Sequence, residues 1–308
     1  MNGAIEIKDL SVSFMLPGAM VRAVDNVSVR FEEGRITGLI GESGCGKSVL
    51  GAAILGLLPP YARVTGDIFL GEYALLEKSA VMHRLLGAQI GVIPQSPSES
   101  LNPARTVAAH IYEAQNPLRL PRQEKKKRAM DLLENFGFER VERILKAFPH
   151  ELSGGMQQRV LCAIGSACSP EWILADEPTK GLDRTLCDRA AETLLSLKPR
   201  GVKSMLVITH DLELASKLCD TVAVMYSGMI VEMGDALQNP LHPYTQAFLK
   251  ALPQNGMNPI AQVLDSYETI GCCPFAPRCA VSRPMCFKQC PPPFGDDKHW
   301  VRCFNYAG

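Results

Sequence analysis

The sequence predicts an α/β protein with a mostly parallel core sheet, an N-terminal antiparallel β subdomain, an inserted α-helical subdomain and a small Cys-rich C-terminal appendage. Three observations predict the core. A glycine-rich loop, Gly41–Ser48, joins a strand-like apolar run to a helix-forming run. A second apolar run ends in the acids Asp176 and Glu177, and apolar strand-like runs alternate with helical segments as far as about residue 235. Such alternation is typical of a parallel sheet covered by helices.

The N-terminal region is predicted to be antiparallel. Apolar and polar residues alternate over Ile5–Phe14 and again over Val24–Phe31, which is the period of a half-buried strand. Phe14 has two interpretations, either a core residue in register with Val12 or an aromatic platform for a purine ring. Periodicity alone favours the core.

The glycine-rich loop GESGCGKS fits the phosphate-binding pattern G-x-x-x-x-G-K-[ST]. Backbone N–H groups in such a turn point at phosphate oxygens, and the following helix adds the positive end of its dipole. Lys47 is predicted to reach the β- and γ-phosphates, and the Ser48 hydroxyl to bind Mg²⁺. The predicted nucleotide-binding loop residues are Gly41, Glu42, Ser43, Gly44, Cys45, Gly46, Lys47, Ser48 and Val49.

The run that ends at Asp176 and Glu177 predicts a buried strand whose carboxylates emerge at its carboxyl end. Open α/β sheets bind ligands at that edge. Asp176 suits Mg²⁺, and Glu177 suits the activation of a water molecule. With the phosphate loop these acids predict nucleotide hydrolysis, and the alternative is a glycine-rich loop that is only a tight turn.

The segment between these motifs predicts an inserted helical subdomain at about residues 96–165. It is rich in charge, and Glu124–Phe136 has helical spacing. The basic run Lys125–Arg128 within it favours a solvated helix face over a phosphate contact.

A further helix is predicted to begin at the stretch LSGGM, Leu152–Met156. Ser153 lies in the cap position, and the paired glycines Gly154 and Gly155 leave backbone donors bare. These residues predict a second anion site, separate from the phosphate loop.

Two more strand ends carry polar residues. Gln95 follows the apolar stretch GVIP, and His210 follows the β-rich run Met205–Thr209. Thr221–Tyr226 and Met229–Met233 predict a hairpin. His210 is either a structural histidine or, because of its place at a strand end, a functional one.

Composition restricts the class of function. Lys+Arg and Asp+Glu both number 32, so no global positive charge argues for nucleic acid. The longest apolar run, Val49–Leu58, is well short of the ~20 residues that cross a bilayer. The start MNGAIEIKDL lacks the basic and apolar regions of a signal peptide. We therefore expect a cytoplasmic protein.

The tail, residues 239–308, differs in composition from the rest of the chain. It holds six of the 11 cysteines and ten of the 22 prolines, without a strong period. Clustered cysteines in a reducing compartment suggest a metal or cluster site more than disulfides. Four thiols are enough for tetrahedral Zn²⁺ or for a [4Fe–4S] cluster, and their spacing does not decide between them. These four are Cys273, Cys279, Cys286 and Cys303, with Cys272 and Cys290 as spares.

The set of motifs resembles the nucleotide-binding subunit of ABC transporters. GESGCGKS, Gln95, LSGGMQQR, ILADEP, GLD and ITHD occur in the family's order and spacing, over about residues 4–235. The tail stretches HPYT, CPFAPRC and HWVRC are similar to those of the peptide/nickel importer ATPases. The resemblance implies an ABC-type P-loop NTPase fold, with a nucleotide-binding domain at 1–238 and a C-terminal extension at 239–308.

The resemblance also implies roles for residues that the motifs match. Two subunits would face head to tail, each enclosing ATP between its own phosphate loop and the signature of the other. Ser153, Gly154 and Gly155 would then bind the γ-phosphate held by the partner subunit, and Gln95 would contact Mg²⁺ or the attacking water. His210 would stabilise the γ-phosphate, Asp183 would bridge the dimer, and Phe14 would stack on adenine.

The function implied is an ATPase subunit that powers import of di- or oligopeptides, or of nickel or a nickel complex. ATP and Mg²⁺ are the implied cofactors, and the resemblance favours [4Fe–4S] over Zn²⁺ in the tail. The expected partners are two integral-membrane permeases, a second related ATPase and, indirectly, an extracytoplasmic binding protein. The chain would lie peripherally on the cytoplasmic face of the inner membrane.

Two other functions use the same motifs. A soluble ABC ATPase acting on DNA or ribosomes usually has two cassettes, a long coiled coil or a basic surface. This chain has one cassette, no sustained heptads and no net charge. A redox sensor would need a labile cluster in the tail. Importer function is therefore favoured, and the choice between peptide and nickel is left open.

Overall fold

The computed structural model describes residues 3–16, 19–76, 82, 84–180, 184–251 and 271–307. Its strands are β1 (Ile5–Leu16), β2 (Ala19–Phe31), β3 (Ile36–Ile40), β4 (Ala62–Leu70), β5 (Tyr73–Ala74), β6 (Ile90–Ile93), β7 (Trp172–Asp176), β8 (Ser204–Ile208), β9 (Thr221–Tyr226), β10 (Met229–Gly234), β11 (Phe294–Gly295) and β12 (Trp300–Val301). The helices described are α1 (Lys47–Ile54), α2 (Pro97–Ser100), α3 (Val107–Ala114), α4 (Arg122–Asn135), α5 (Val141–Lys146), α6 (Gly154–Gly165), α7 (Arg184–Leu195), α8 (Leu212–Leu218) and α9 (Pro243–Lys250).

The N-terminal region forms an antiparallel sheet, as predicted. Its strand order is β2-β1-β4-β5. Ile5 pairs with Phe31 on one side and with Leu70 on the other. The alternation that predicts these strands also explains most of their burial, and the register shift between Ile7 and Leu10 interrupts it.

The main sheet is mixed, with the order β11-β12-β10-β9-β3-β8-β7-β6. Strands β9, β3, β8, β7 and β6 are parallel neighbours. Strands β10, β12 and β11 continue one edge in antiparallel fashion. Every residue of β3 and β8 is buried, which is typical of parallel strands covered on both faces.

Apolar side chains fill the space on both faces of this sheet. Leu206 and Ile208 of β8 join a cluster shared with α1 and the N-terminal sheet. Met205 and Val207 of the same strand join a cluster shared with the helices. Successive side chains of a strand point to opposite faces, so a single apolar run serves two cores.

The described chain between β6 and β7 is helical. The helix predicted over Glu124–Phe136 runs over Arg122–Asn135. The basic run at its start makes protein contacts, since Lys125 Nζ donates to the Tyr112 carbonyl at 3.0 Å. The boundaries of a helical subdomain stay a prediction.

The C-terminal extension differs from the expected appendage because it is built into the main sheet. Strand β12 pairs with β10, where Val301 lies opposite Glu232. Phe275 and Phe304 pack in one apolar cluster with Val224 of β9. The extension therefore shares the core of the nucleotide-binding region. The sequence does not indicate its strands, because each has only two residues and shows no period.

No helix among the described residues is both long and apolar enough to cross a membrane.

Candidate nucleotide site

Four of the predicted residues lie at one edge of the main sheet. Adjacent strands are in register there, with Ile93 opposite Ala175 and Asp176 opposite Ile208. The chain leaves these strands at their carboxyl ends, which is where open α/β sheets bind ligands. The residues placed there are Gly41 after β3, Gln95 after β6, Asp176 at the end of β7 and His210 after β8.

The phosphate loop requires glycine at two positions. Gly41 has φ 153° and Gly46 has φ 107°. A Cβ atom at Gly41 would lie 2.1 Å from the Met225 carbonyl oxygen, and one at Gly46 would lie 2.1 Å from the Ala23 oxygen. The loop is thus seated directly on the backbone of β9 and β2, and Gly46 caps the start of α1.

The other loop residues divide between surface and core. Ser43 and Gly44 are exposed, Cys45 is buried and Val49 is half-buried. Burial raises the pKa of the Cys45 thiol. The exposed half of the loop is therefore the part open to phosphate.

Lys47 is folded back onto its own loop. Its side chain is buried, and Nζ donates hydrogen bonds to the carbonyl oxygens of Gly41 at 2.8 Å and Glu42 at 3.0 Å. The ammonium group therefore lies inside the loop, next to the backbone that cradles phosphates in this motif.

Ser48 and Asp176, which are both predicted to bind Mg²⁺, lie within hydrogen-bond distance of each other. Ser48 Oγ donates to Asp176 Oδ1 at 3.3 Å. Burial raises the pKa of Asp176, and the neighbouring Glu177 adds to this effect. A hydroxyl and a carboxylate are hard oxygen donors of the kind that suits Mg²⁺, which usually takes its other ligands from phosphate and water.

Glu177 and His210 form a close pair. Glu177 Oε2 lies 2.7 Å from His210 Nδ1 and also accepts from the His210 backbone N–H at 3.4 Å. Glu177 is buried and has φ 45°, a conformation that costs on the order of 1–3 kcal/mol for a residue with a side chain. Its own N–H donates to the Ile208 carbonyl at 2.7 Å, which holds it there. The two predicted catalytic groups are thus brought together.

Asp211 has a structural role beside them. Its Oδ1 accepts from the N–H groups of Glu213 and Leu214 at 2.9 and 3.0 Å, so it caps α8. Gln95 lies two residues beyond β6, half-buried, at the same edge of the sheet.

The signature lies at an exposed helix start. Ser153 caps α6 and accepts from the Met156 N–H at 3.4 Å. A Cβ atom at Gly154 would meet nothing within 4 Å, so packing does not require glycine there. Gly155 is half-buried beside it. The bare donors predicted at this helix start are therefore accessible.

Phe14 lies half-buried in the N-terminal sheet. Its ring meets Tyr61 edge to face, with centroids 6.1 Å apart, and Tyr61 is 66% exposed. Phe14 pairs with Val21, two residues before Ala23, whose carbonyl contacts Gly46. Sequence reasoning missed Tyr61, which follows two prolines and has no periodic neighbours.

Sequence reasoning also missed the contacts that the extension makes with the phosphate loop. Arg278 donates to both carboxylate oxygens of Glu42, at 3.0 and 3.1 Å. The Glu42 N–H donates to Tyr244 Oη at 2.9 Å. These residues are more than 200 positions apart in the chain, so no local pattern could indicate the contacts.

The four tail cysteines lie near one another but do not form a ligand set. Burial raises the pKa of Cys273 to about 12, and the thiols of Cys286, Cys279 and Cys303 add to the shift. Among the residues that the structure describes, no three His, Cys, Asp or Glu side chains form a group that could hold a metal ion. The [4Fe–4S] or Zn²⁺ prediction is therefore not supported by these side-chain positions.

The fold and the sheet-edge site define a P-loop ATPase of the cassette type. The family model described as ABC transporter matches residues 24–180, and the one described as oligopeptide/dipeptide transporter, C-terminal region, matches residues 231–286. The chain belongs to the ABC transporter family and is an ABC-type ATPase.

Several relatives match over nearly the whole chain. The dipeptide transport ATP-binding protein DppD of Haemophilus influenzae is 37% identical over 294 residues, covering 92% of this chain and 89% of the relative. The oligopeptide transport ATP-binding protein AppD of Bacillus subtilis is 34% identical, covering 99% of this chain and 98% of the relative. A solved dimer of the cassette MJ0796 bound to ADP and Pi has a TM-score of 0.64 and 26% identity, covering 73% of this chain and 96% of that one.

Proposed function

We propose that this chain is the ATP-hydrolysing subunit of an importer for dipeptides or oligopeptides. The observation that carries the proposal is the match of both parts of the chain, the cassette and the C-terminal region, to ATP-binding proteins of peptide transport. Peptides are proposed ahead of nickel because the names of these relatives refer to peptides.

ATP binding would begin at the phosphate loop. The exposed residues Ser43 and Gly44 would donate their N–H groups to phosphate oxygens, and α1 adds its positive dipole end. Lys47 Nζ would exchange its bonds with the Gly41 and Glu42 carbonyls for the β- and γ-phosphates. An aromatic ring from Phe14 would cover the adenine.

Ser48 and Asp176 would hold Mg²⁺, which supplies positive charge that neutralises the phosphate oxygens. Glu177 would accept the proton of the attacking water, because a buried carboxylate next to the γ-phosphate position is placed for that transfer. His210 would fix the Glu177 carboxylate through the 2.7 Å contact and offer the rest of its exposed ring to the γ-phosphate. Gln95 would orient the water or bind the metal.

A complete site would need two subunits. Ser153, Gly154 and Gly155 present accessible donors that would bind the γ-phosphate held by the partner. Asp183, which lies outside the described residues, would bridge the dimer. ATP would close the dimer and hydrolysis would reopen it, so that movement of the helices next to Gln95 drives the permeases between two states.

The proposed partners are two integral-membrane permeases and a second, related ATPase, with an extracytoplasmic binding protein acting through the permeases. The chain would lie on the cytoplasmic face of the inner membrane. We retain domain limits of 1–238, with a helical subdomain at about 96–165, and 239–308. The metal or cluster in the tail also stays a prediction.

The test is capture of the intact complex. The Glu177→Gln chain is expressed in its own cell, locked with Mg-ATP, and purified without oxygen. Two multi-span permeases and a second ATPase are expected to copurify with it. Cells that carry the parent chain should then take up labelled dipeptide, and cells that carry Glu177→Gln should not. Recovery with ribosomes or DNA and without permeases would contradict the importer function.

A further inference from the structure

We propose that Arg278 in the C-terminal extension is a positioning residue for the phosphate loop, and that it acts through Glu42. The extension would thereby control how tightly the chain binds ATP. The inference rests on the assignment of Gly41–Ser48 as the nucleotide loop.

Arg278 holds the Glu42 carboxylate with both arms of its guanidinium. Nη1 donates to Oε2 at 3.0 Å, and Nη2 donates to Oε1 at 3.1 Å. A planar fork matched to a carboxylate fixes direction as well as distance. The side chains are only 16% and 34% exposed, so solvent screens the pair less than it screens an ordinary surface pair.

The guanidinium is itself held in place by aromatic side chains. Nη1 also donates to Tyr226 Oη at 3.1 Å. The guanidinium carbon lies 5.6 Å from the Tyr226 ring centre and 5.9 Å from that of Phe275. Arg278 therefore reaches Glu42 from a fixed position and loses little side-chain freedom on contact.

Glu42 is held through its backbone as well. Its N–H donates to Tyr244 Oη at 2.9 Å, and its carbonyl accepts from Lys47 Nζ at 3.0 Å. Glu42 follows Gly41, where the chain turns with φ 153°, and precedes the exposed donors of the loop. The position of this one residue therefore sets the direction in which those donors point.

The contacts come from two separate parts of the extension. Tyr244 belongs to α9, and Arg278 lies in a short turn, Ala276–Arg278, directly before Cys279. Binding of nucleotide to a loop fixed by these residues must in return favour the ordered extension, because coupling between two sites is reciprocal.

A purely structural ion pair would stabilise the extension without changing nucleotide affinity. The experiment therefore measures both stability and nucleotide affinity. Affinity of the parent chain and its variants for a fluorescent ATP analogue is measured by titration, and the melting temperature is measured without nucleotide. The variants are Arg278→Ala, Arg278→Lys and Glu42→Gln, with Arg302→Ala as the control. Arg302 lies in the same extension, where its guanidinium stands over the Trp300 ring and donates to the Pro291 carbonyl at 3.4 Å.

We expect Arg278→Ala to weaken analogue binding about fivefold to 20-fold, the range of a modest coupling between two sites. Arg278→Lys should keep only part of the affinity that Arg278→Ala loses, because an ammonium group cannot make two parallel hydrogen bonds to the Glu42 carboxylate. Glu42→Gln should weaken binding to a similar degree while keeping the volume of the side chain. Arg302→Ala should change affinity by less than about twofold, because its guanidinium contacts Trp300 and Pro291 rather than the Glu42 carboxylate.

The double variant Arg278→Ala with Glu42→Gln tests whether Arg278 acts through Glu42. It should bind no more weakly than Glu42→Gln alone, since the pair is already broken. Additive losses, or Arg278 variants with the affinity of the parent, would overturn the inference. A parent chain that binds no analogue at all would instead overturn the nucleotide-loop assignment, so the two failures are distinguishable.

Discussion

His242 should make the stability of this protein fall in mild acid. Its side chain is 1% exposed, and Nδ1 accepts a hydrogen bond from the Tyr244 N–H at 3.0 Å, which caps α9. Burial lowers the pKa of His242 from 6.5 to about 4, and the backbone of Arg302 offsets this only in part. The folded protein thus keeps this imidazole neutral over a range of pH in which the unfolded chain protonates it.

The sign and size of the effect follow from this difference. Between pH 6.5 and 4 the unfolded chain binds a proton at His242 that the folded protein does not bind. The stability that neutral His242 contributes is therefore complete above pH 6.5 and is lost as the pH falls toward 4. Each pH unit in this range lowers the free energy of unfolding by about 1.4 kcal/mol. The loss is therefore about 2 kcal/mol at pH 5 and about 3 kcal/mol at pH 4.

The assay compares the parent chain with His242→Asn. Asparagine can cap the helix and does not titrate. The free energy of unfolding is measured by guanidinium titration with circular dichroism at pH 7.5 and pH 5. All other residues are common to both chains, so their contributions to the pH dependence cancel in the comparison. The parent should lose about 2 kcal/mol more than the variant. Equal losses would refute the argument.

Two further predictions concern glycines, one in the phosphate loop and one at the start of α6. Gly46→Ala should lower the free energy of unfolding by more than about 2 kcal/mol and abolish ATP binding, because its Cβ would clash with the Ala23 oxygen at 2.1 Å. Gly154→Ala, where a Cβ meets nothing, should leave stability unchanged in the same denaturation series, and an equal loss there would contradict the packing argument.

Much of the nucleotide site could be predicted from the sequence because its signals are local. The phosphate loop, Asp176 and Glu177 each follow an apolar run, and the run itself indicates the strand that delivers them. Parallel strands end at one edge, so the encounter of Ser48 with Asp176 at 3.3 Å follows from the topology. The pairing of Glu177 with His210 could be predicted for the same reason.

The extension could not be predicted in this way. Its strands have two residues each, so no period appears in the sequence, and its place at the edge of the main sheet depends on pairing with β10. The contact of Arg278 with Glu42 joins a turn to a loop 236 positions away. A sequence pattern reports neighbours within an element, whereas these contacts depend on how distant elements pack.

We propose that ATP is hydrolysed at the edge of the main sheet with Glu177 as the base. The most direct test measures ATP binding and ATP turnover side by side for the parent chain and Glu177→Gln. Glutamine keeps the size of the side chain and can still contact His210, but it cannot accept the proton of the attacking water. We expect the variant to bind Mg-ATP with an affinity close to that of the parent and to turn it over at least about 100-fold more slowly. Turnover at the parental rate in the variant would contradict it.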